Sequence, residues 1–253
     1  MAFKDGDFVL INYTLKVVED GGETVWDTTQ EDVARKHNIF DPEKRYGELL
    51  VVIGKGRVIE GVEEALRDMN VGEKKEVEVP PEKAYGEYRS DLVIRVPIKQ
   101  LRRHNIQPRV GQEIEIGGRI GRIKRLTERF AYIDFNHPLA GKKLKVEIEV
   151  VGKLENDEEK AAYLASRWIG VERSQVKVES VNGTLRIVLP PDTLGVRDLE
   201  SKLQLLSREV YEYITPRKLE LVIEVEYPEQ AEEKIEETAE RAGEAEEAKA
   251  EGS

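Results

Sequence analysis

The residues of this chain that could carry chemistry are few and widely spaced. The 253 residues include no Cys, which excludes a thiol nucleophile, a disulfide framework and a cysteine metal site. The three histidines, His37, His104 and His137, do not have the spacing of metal ligands. We therefore expect neither a metal nor a cofactor, and a site whose chemistry requires neither.

A glycine-rich stretch from Gly54 to Leu66 is the first candidate. A short apolar strand leads into it, and Gly54 and Gly56 permit positive φ angles. Apolar residues at helical spacing follow, which predicts a short helix. Val58 and Ile59 then lie at a strand-to-helix junction, where their backbone groups are available to a ligand.

Residue types alone leave three interpretations of this stretch open. It lacks the spacing of a P-loop, and no Ser or Thr follows Lys55, so phosphate binding is only weakly indicated. An ordinary turn leading into a core helix is the simplest interpretation. The third is a recognition site, for which other parts of the chain must supply the remaining groups.

A carboxylate beside an aromatic ring is the second candidate. Asp27 directly follows Trp26, one of only two tryptophans. Asp often caps or turns a chain, so Asp27 has a structural interpretation as well as a functional one at the edge of an aromatic pocket. Tyr85, in the sequence Ala-Tyr-Gly, is by itself a buried loop residue.

The strands that position these groups are predicted by the alternation of apolar and polar side chains. Residues 8–15 form one strand, and residues 24–29 return as a second after a Gly-Gly turn. A strand over 49–53 leads into the glycine-rich stretch. Residues 76–79 form a half-buried strand that two prolines end. A further alternating strand covers 144–151.

The order of these motifs resembles the FKBP-type peptidyl-prolyl cis-trans isomerases. The pattern G-x-G-x-V-I-x-G-x-E-x-A-L over 54–66 resembles their helix-and-pocket signature, and residues 84–86 resemble their Ala-Tyr-Gly element. After residue 88 the chain departs from a minimal domain of this family for 48 residues. The phrase Asn-His-Pro-Leu-Ala-Gly-Lys over 136–142 resembles the return point of SlyD-like members, which carry an insert-in-flap domain there. The chain is thus identified as a SlyD-like member of the long archaeal type.

The fold class implied by this resemblance is α+β: an FKBP-type antiparallel sheet wrapped on a short helix, with an inserted small β-rich domain and a C-terminal αββαβ domain. We expect the isomerase domain over 1–88 and 137–153 and the inserted chaperone domain over 89–136. A separate α+β domain should cover 154–227. Residues 228–253, with ten Glu against three Lys and Arg, should form an acidic tail that is disordered or helical.

The resemblance also assigns catalytic roles. Asp27, held by Tyr13, would bias the substrate amide electrostatically. The Ile59 N–H and the Tyr85 hydroxyl would each bind a substrate carbonyl group. The residues expected to bind the substrate are Trp26, Leu49, Val58, Val62, Leu139 and Val146.

Two of these positions depart from the pattern of the family. Val62 stands where Trp is frequent, and Val146 stands where Phe is frequent. Both changes should enlarge the pocket and weaken the binding of macrolide inhibitors more than they weaken activity.

Residues 29–47 correspond to a variable flap over the pocket rim, with a short helix over 31–37 and an exposed His37. Asn136 and His137 would act structurally where the insertion ends.

The inserted segment, residues 89–136, differs in charge from the rest of the chain. It holds eleven basic and five acidic residues, whereas the whole chain has a net charge of −11. This charge could form a solvated surface or bind nucleic acid, although three aromatic residues are few for base stacking. The resemblance implies a third role, in which apolar strand edges hold unfolded polypeptide by β-strand addition.

We therefore expect a peptidyl-prolyl isomerase (a rotamase) that acts on X-Pro bonds of unfolded or partly folded polypeptides, with chaperone activity through the inserted domain. The alternative is a holdase chaperone with weak or no isomerase activity. Partners would be unfolded or proline-containing polypeptides, with no membrane and with nucleic acid disfavoured, and the oligomeric state stays open. The N-terminus lacks an apolar signal segment, which favours the cytoplasm, and the abundance of Glu, Lys and Arg suits a thermophile.

Overall fold

A computed structural model describes residues 3–225, and the chain divides into two compact units at Leu154/Glu155. The expected acidic tail, 228–253, lies outside the described residues. The elements of the first unit are β1 (Phe8–Glu19), β2 (Gly22–Thr28), α1 (Glu31–Lys36), β3 (Leu49–Val52), α2 (Glu60–Arg67), β4 (Lys74–Val79), β5 (Val93–Pro97), α3 (Ile98–Arg103), β6 (Glu113–Ile116), β7 (Arg119–Leu126), β8 (Phe130–Asp134) and β9 (Lys143–Leu154).

Strand β1 lies at the centre of a five-stranded antiparallel sheet. The strand order is β2-β1-β9-β4, and β3 pairs with the first part of β1. Residues 8–11 of β1 pair with β3, and residues 14–19 pair with β2, so one long strand carries both neighbours on the same edge. The buried face of this sheet packs on Val62, Leu66 and Met69 of the helix region. This is the α+β arrangement that the sequence predicted, a sheet wrapped on a short helix.

The inserted segment forms a second antiparallel sheet, in the order β5-β8-β7-β6. The buried apolar residues of this sheet and of the helix beside it are Val96, Leu101, Ile114, Ile123, Ala131 and Ile133. Helix α3 follows β5 directly and contributes Leu101 to this core. The sequence did not predict α3, because six residues are too few to show a helical period.

The two ends of the inserted segment are joined by hydrogen bonds. The Arg89 N–H donates to Oδ1 of Asn136 at 2.9 Å, and Nδ2 of Asn136 donates to the Arg89 carbonyl at 2.8 Å. The Asn136 side chain also donates to Oδ1 of Asp134 at 2.7 Å. The first and last residues of the inserted segment therefore lie next to each other.

The second unit has the helix and strand order that the sequence predicted. Its elements are α4 (Asp157–Ile169), β10 (Lys177–Val181), β11 (Thr184–Leu189), α5 (Leu199–Tyr213) and β12 (Lys218–Ile223). Asn156 caps α4, because its side chain accepts the Glu159 N–H at 2.8 Å. Asn182 and Gly183 both have positive φ in the turn between β10 and β11, as an Asn-Gly hairpin turn requires.

Candidate active site

The glycine-rich stretch folds into a loop that a carboxylate closes. Gly54 and Gly56 have φ angles of +83° and +60°, which confirms the positive φ expected there. Glu63 of α2 accepts the N–H of Gly54 at 2.7 Å and the N–H of Gly56 at 3.1 Å. Because these amides bind a carboxylate of the same chain, the phosphate-binding interpretation is disfavoured.

Ile59 is the residue from which α2 begins. Its backbone is extended, and its carbonyl accepts the N–H groups of Val62 and Glu63 at 3.0 and 3.1 Å. Within residues 3–225 no hydrogen-bond acceptor is found for the Ile59 N–H itself. This N–H is therefore a donor at a helix N-terminus, where the peptide dipoles favour an oxygen ligand.

A small cavity lies over this helix start and the neighbouring strands. Its volume is about 140 Å³. An apolar cavity of ~150 Å³ accommodates a benzene ring, so the space suits the five-membered ring of proline. The residues that line it are Ile11, Tyr13, Leu15, Asp27, Leu49, Arg57, Val58, Ile59, Val62, Tyr85 and Val146.

The structure brings eight of the ten predicted site residues together around this cavity. Sequence reasoning missed Ile11, Leu15 and Arg57. Ile11 and Leu15 flank Tyr13 at two-residue spacing on β1, so strand alternation was a signal that could have found them. Arg57 has no such signal.

Trp26 and Leu139 are not among the residues that line the cavity. In the register between β1 and β2, Leu15 pairs with Asp27 and Lys16 pairs with Val25. Trp26 is therefore the extra residue of a β-bulge, and its side chain is 49% exposed. Leu139 is fully buried in the core of the first sheet instead, at a tight turn.

Asp27 is held by donors on both oxygens. The Tyr13 hydroxyl donates to Oδ2 at 2.6 Å, and the Thr28 N–H donates to Oδ1 at 2.9 Å. Lys44 also donates to Oδ1 and binds the Thr28 carbonyl at 2.9 Å. Burial, together with the hydrogen bond to Asp27, raises the pKa of Tyr13, so its hydroxyl remains a donor at neutral pH.

Lys44 reaches Asp27 from the flap, and stacked side chains hold the flap in place. The Arg35 guanidinium lies 3.6 Å from the centre of the Phe40 ring, and Phe40 stacks on Tyr46 with centroids 5.5 Å apart. The Lys44 ammonium lies 5.5 Å from the centre of the Tyr46 ring. Sequence reasoning placed this segment over the pocket rim but did not single out Lys44.

Tyr85 and His137 form a second contact that the sequence did not reveal. Their rings are parallel within 4°, with centroids 4.0 Å apart. Nδ1 of His137 accepts the Leu139 N–H at 3.1 Å, and burial lowers the pKa of His137. Burial and the charge of Asp27 raise the pKa of Tyr85. Within residues 3–225 its hydroxyl has no hydrogen-bond partner, so it can donate into the cavity.

Comparison with known proteins identifies the family. The profile of the family described as FKBP-type peptidyl-prolyl cis-trans isomerase matches residues 1–114. A short-type peptidyl-prolyl cis-trans isomerase of Methanocaldococcus jannaschii is 40% identical over 147 residues, which are 58% of this chain and 91% of that protein. The chain belongs to the FKBP-type peptidyl-prolyl cis-trans isomerase family. It is therefore an enzyme of the isomerase class that acts on polypeptide substrates.

Further relatives of this FKBP-type isomerase carry the name SlyD. The SlyD of Treponema pallidum is 35% identical over 161 residues, covering 62% of this chain and 81% of that protein. The SlyD of Escherichia coli K12 is 37% identical over 114 residues, covering 44% of this chain and 58% of that protein. A second profile, described as FKBP26, IF domain, matches residues 95–139. No helix among residues 3–225 is long and apolar enough to cross a membrane.

Proposed function

We propose that this FKBP-type isomerase acts on X-Pro bonds of unfolded or partly folded polypeptides, and that it binds them both in the cavity and on the inserted segment. The observation that carries the proposal is the set of groups around the cavity. An apolar space of the size of a proline ring lies between a backbone donor, a hydroxyl donor and a fixed carboxylate.

The chemistry of prolyl isomerisation fits a site of this composition. The peptide C–N bond resists rotation with a barrier of about 18–20 kcal/mol, because resonance makes it partly double. Rotation breaks no covalent bond, so it requires no nucleophile. Water stabilises the polar, planar amide more than the twisted, less polar transition state. An apolar cavity that excludes water therefore favours the twisted state.

Two donors fix the substrate in this scheme. The Ile59 N–H binds the carbonyl oxygen of one substrate residue, and the Tyr85 hydroxyl binds a second. Val58, Val62 and Val146 contact the proline ring. With the backbone held at both ends, the imide bond between these contacts is the part of the substrate that rotates.

Asp27 acts on the rotating amide electrostatically. Its carboxylate is fixed by Tyr13 and Lys44, so it does not need to reorganise when the charge distribution of the amide changes. As the C–N bond twists, the nitrogen becomes pyramidal and loses its partial positive charge. A carboxylate whose position is fixed stabilises some orientations of the amide dipole more than others.

The inserted segment supplies the second binding region in this proposal. β5 and β6 are the outer strands of its sheet, so each has an edge that can pair with an extended chain. The exposed apolar side chains of the segment are Ile94, Val110 and Ile120. Holding a client near the cavity raises its effective concentration there without new contacts to the proline.

Two of the basic side chains of the inserted segment cover its aromatic rings, which weighs against nucleic acid. Arg95 covers Phe130 at 4.4 Å, and Arg125 covers Tyr132 at 4.0 Å, measured to the ring centres. These rings are therefore not open to stacking bases. Strongly salt-dependent RNA binding by the full chain would contradict this part of the proposal.

Refolding of a protein whose folding is limited by proline isomerisation tests both binding regions. In the deletion variant, residues 89–136 are replaced by a short loop. A short loop can join the remaining chain because the two ends of the segment, Arg89 and Asn136, are hydrogen-bonded to each other. We expect the full chain to accelerate refolding strongly and the deletion variant only weakly, while both isomerise a short X-Pro peptide. If the deletion variant accelerates protein refolding as well as the full chain does, the inserted segment has no role in recruitment.

The holdase alternative predicts a different result. If the full chain suppresses aggregation of an unfolded protein, and neither Asp27→Ala nor Tyr85→Phe alters the isomerisation of a short peptide, the cavity is not the site of catalysis.

A further inference from the structure

Thr28, at the end of β2, is a fully buried polar residue next to the carboxylate of the cavity. The neighbouring threonines Thr14 and Thr29 are also buried, with 4% and 6% of their surface exposed. Burying a hydroxyl group lowers stability unless the group forms hydrogen bonds, and Val has nearly the same shape as Thr. Buried threonines at these positions therefore indicate hydrogen bonds that a valine could not form.

The hydroxyl group of Thr28 uses its full hydrogen-bonding capacity. It donates to the Tyr13 carbonyl at 3.0 Å and accepts the Gln30 N–H at 3.1 Å. The Thr14 hydroxyl oxygen lies 3.0 Å from it. Because the Thr28 hydroxyl has a single hydrogen, which Tyr13 accepts, Thr14 is the donor in this contact. One donated and two accepted hydrogen bonds thus hold Oγ1 of Thr28.

The N–H, the hydroxyl and the carbonyl of Thr28 each bind a different member of the candidate site. The N–H donates to Oδ1 of Asp27 at 2.9 Å. The hydroxyl binds the backbone of Tyr13, whose phenol group donates to Oδ2 of Asp27 at 2.6 Å. The carbonyl accepts from Nζ of Lys44 at 2.9 Å, and Lys44 also binds Oδ1 of Asp27. Thr28 therefore contacts the carboxylate and both of the side chains that hold it.

These contacts form a closed ring between β1 and β2. The ring runs from the Tyr13 hydroxyl to Asp27, along the chain to Thr28, and through the Thr28 hydroxyl back to the Tyr13 backbone. The β-bulge lies directly before Asp27, where the regular register of the two strands is interrupted. Since the Thr28 N–H is bound to Asp27, the hydroxyl supplies a link to β1 in its place. The ring therefore limits the Asp27 carboxylate from both ends.

A local turn does not account for this set of hydrogen bonds. The Gln30 N–H that binds Oγ1 of Thr28 is the short-range contact of a common turn, which Ser, Asp or Asn also forms. The contacts with Tyr13 and Thr14 span 15 and 14 residues of sequence. A turn does not require them, and they join the end of β2 to the centre of β1.

We propose that Thr28 is a positioning residue, whose hydroxyl fixes the backbone of Tyr13 and so keeps the Asp27 carboxylate in the orientation that acts on the rotating amide. The inference rests on the proposed function, because it takes Asp27 to act on the prolyl bond. Thr28 is not among the residues that line the cavity. It therefore acts through Tyr13 and Asp27 and not by contact with substrate.

The test measures kcat and KM for a short X-Pro peptide with variants of the full chain. Thr28→Val removes the hydroxyl and keeps the shape of the side chain, whereas Thr28→Ser keeps the hydroxyl. Asp27→Asn, alone and combined with Thr28→Val, shows whether Thr28 acts through the carboxylate. Thr193→Val is the matched control, since Thr193 is also fully buried but lies in the second unit. Within residues 3–225 its hydroxyl has no hydrogen-bond partner.

We expect Thr28→Val to lower kcat about fivefold with little change in KM, because the carboxylate loses orientation while the contacts with the proline remain. Thr28→Ser should stay within about twofold of the wild type, because it restores the hydroxyl. In the Asp27→Asn background, Thr28→Val should cause no further loss, because the group that it positions is already absent. Thr193→Val should have the kinetics of the wild type.

Three results would overturn the inference. Equal losses in Thr28→Val and Thr28→Ser would indicate an effect of packing. A loss of the same factor from Thr28→Val with Asp27 and with Asn at position 27 would show that Thr28 acts independently of the carboxylate. A rise in KM at constant kcat would place Thr28 in substrate binding.

The Asp27→Asn variant separates failure of this inference from failure of the proposed function. If Asp27→Asn lowers kcat and Thr28→Val does not, Thr28 has no positioning role and the proposed role of Asp27 stands. If Asp27→Asn is as active as the wild type, both fail. Denaturant unfolding confirms that each variant is folded. Should Thr28→Val not fold, Thr14→Val replaces it, because it removes the donor that holds the Thr28 hydroxyl, and the same dependence on Asp27 is expected.

Discussion

Lys44 forms an ion pair with Asp27 across seventeen residues of sequence, so the flap supplies one of the groups that fix the carboxylate at the cavity. Tyr13 binds the other carboxylate oxygen from β1 at 2.6 Å. The carboxylate is therefore held from two independent elements, a strand of the central sheet and a loop outside it. This arrangement makes the flap part of the proposed active site.

Replacing Lys44 by Met should lower kcat/KM for a short X-Pro peptide by about two- to fivefold. The side chains of Lys44 and Asp27 are 34% and 39% exposed, so solvent screens their charges. Their ion pair therefore contributes about 0.5–1 kcal/mol to fixing Asp27. Met retains the apolar part of the Lys side chain, so the variant tests the effect of the charge. Lys36→Met, in α1 of the same flap, is the control and should have wild-type activity. Equal activity in both variants would remove Lys44 from the site.

Tyr85→Phe should lower kcat/KM about tenfold, because it removes one donor to a substrate carbonyl, with a loss of about 1–1.5 kcal/mol in the transition state. The elevated pKa of Tyr85 implies that the hydroxyl is protonated throughout the neutral range. The rate of the wild type should therefore show no step that reports ionisation of Tyr85 between about pH 6 and 9. Peptide isomerisation followed by exchange NMR gives both quantities. Unfolded-client binding, measured by anisotropy, should be unchanged.

Tyr13→Phe separates positioning of Asp27 from substrate contact. It removes the 2.6 Å hydrogen bond to Oδ2 but leaves the ring on the cavity wall. We expect kcat to fall by about tenfold, because the Asp27 carboxylate loses a hydrogen bond that orients it. KM should change little, because the contacts with the proline remain. A rise in KM at constant kcat would show instead that Tyr13 serves mainly to bind substrate.

Local patterns in the sequence account for much of the fold and part of the site. Alternation along β1, the positive φ at Gly54 and the Asn156 cap each depend on a few neighbouring residues, and each could be predicted from them. The Lys44–Asp27 and Tyr85–His137 contacts join residues that are far apart in sequence and show no periodicity. The bulge at Trp26 inserts one residue into the strand register, and nothing in the residue types of β2 marks its position.

Protonation of His137 should destabilise the first unit at mildly acidic pH. Burial lowers the pKa of His137 below its usual 6.5, so the unfolded chain binds the proton more readily than the folded one. This contribution to stability is fully present above about pH 6.5 and is lost as the pH falls below that value. Denaturant unfolding of the wild type and His137→Phe between pH 5 and 7.5 measures it, and the variant should show the smaller pH dependence. Identical slopes would contradict the prediction.

Gly61 shows how closely α2 packs against the sheet, and its replacement tests that contact. A Cβ at position 61 would lie 2.6 Å from Cγ1 of Val79 on β4, which is a fixed core side chain and cannot move without disturbing its neighbours. Overpacking of this kind costs about 1–3 kcal/mol, and the gain in helix propensity from Gly to Ala offsets about 1 kcal/mol of it. We expect Gly61→Ala to be destabilised by about 1 kcal/mol and to lose activity, because α2 carries Ile59 at its start and Val62 on the cavity wall.

Gly21→Ala is the matched control, since no atom lies within 4 Å of its added Cβ and its φ is not positive. Its stability should stay within about 0.5 kcal/mol of the wild type. If the two variants unfold at the same denaturant concentration, the helix is free to shift and the close contact does not fix the position of the Ile59 N–H.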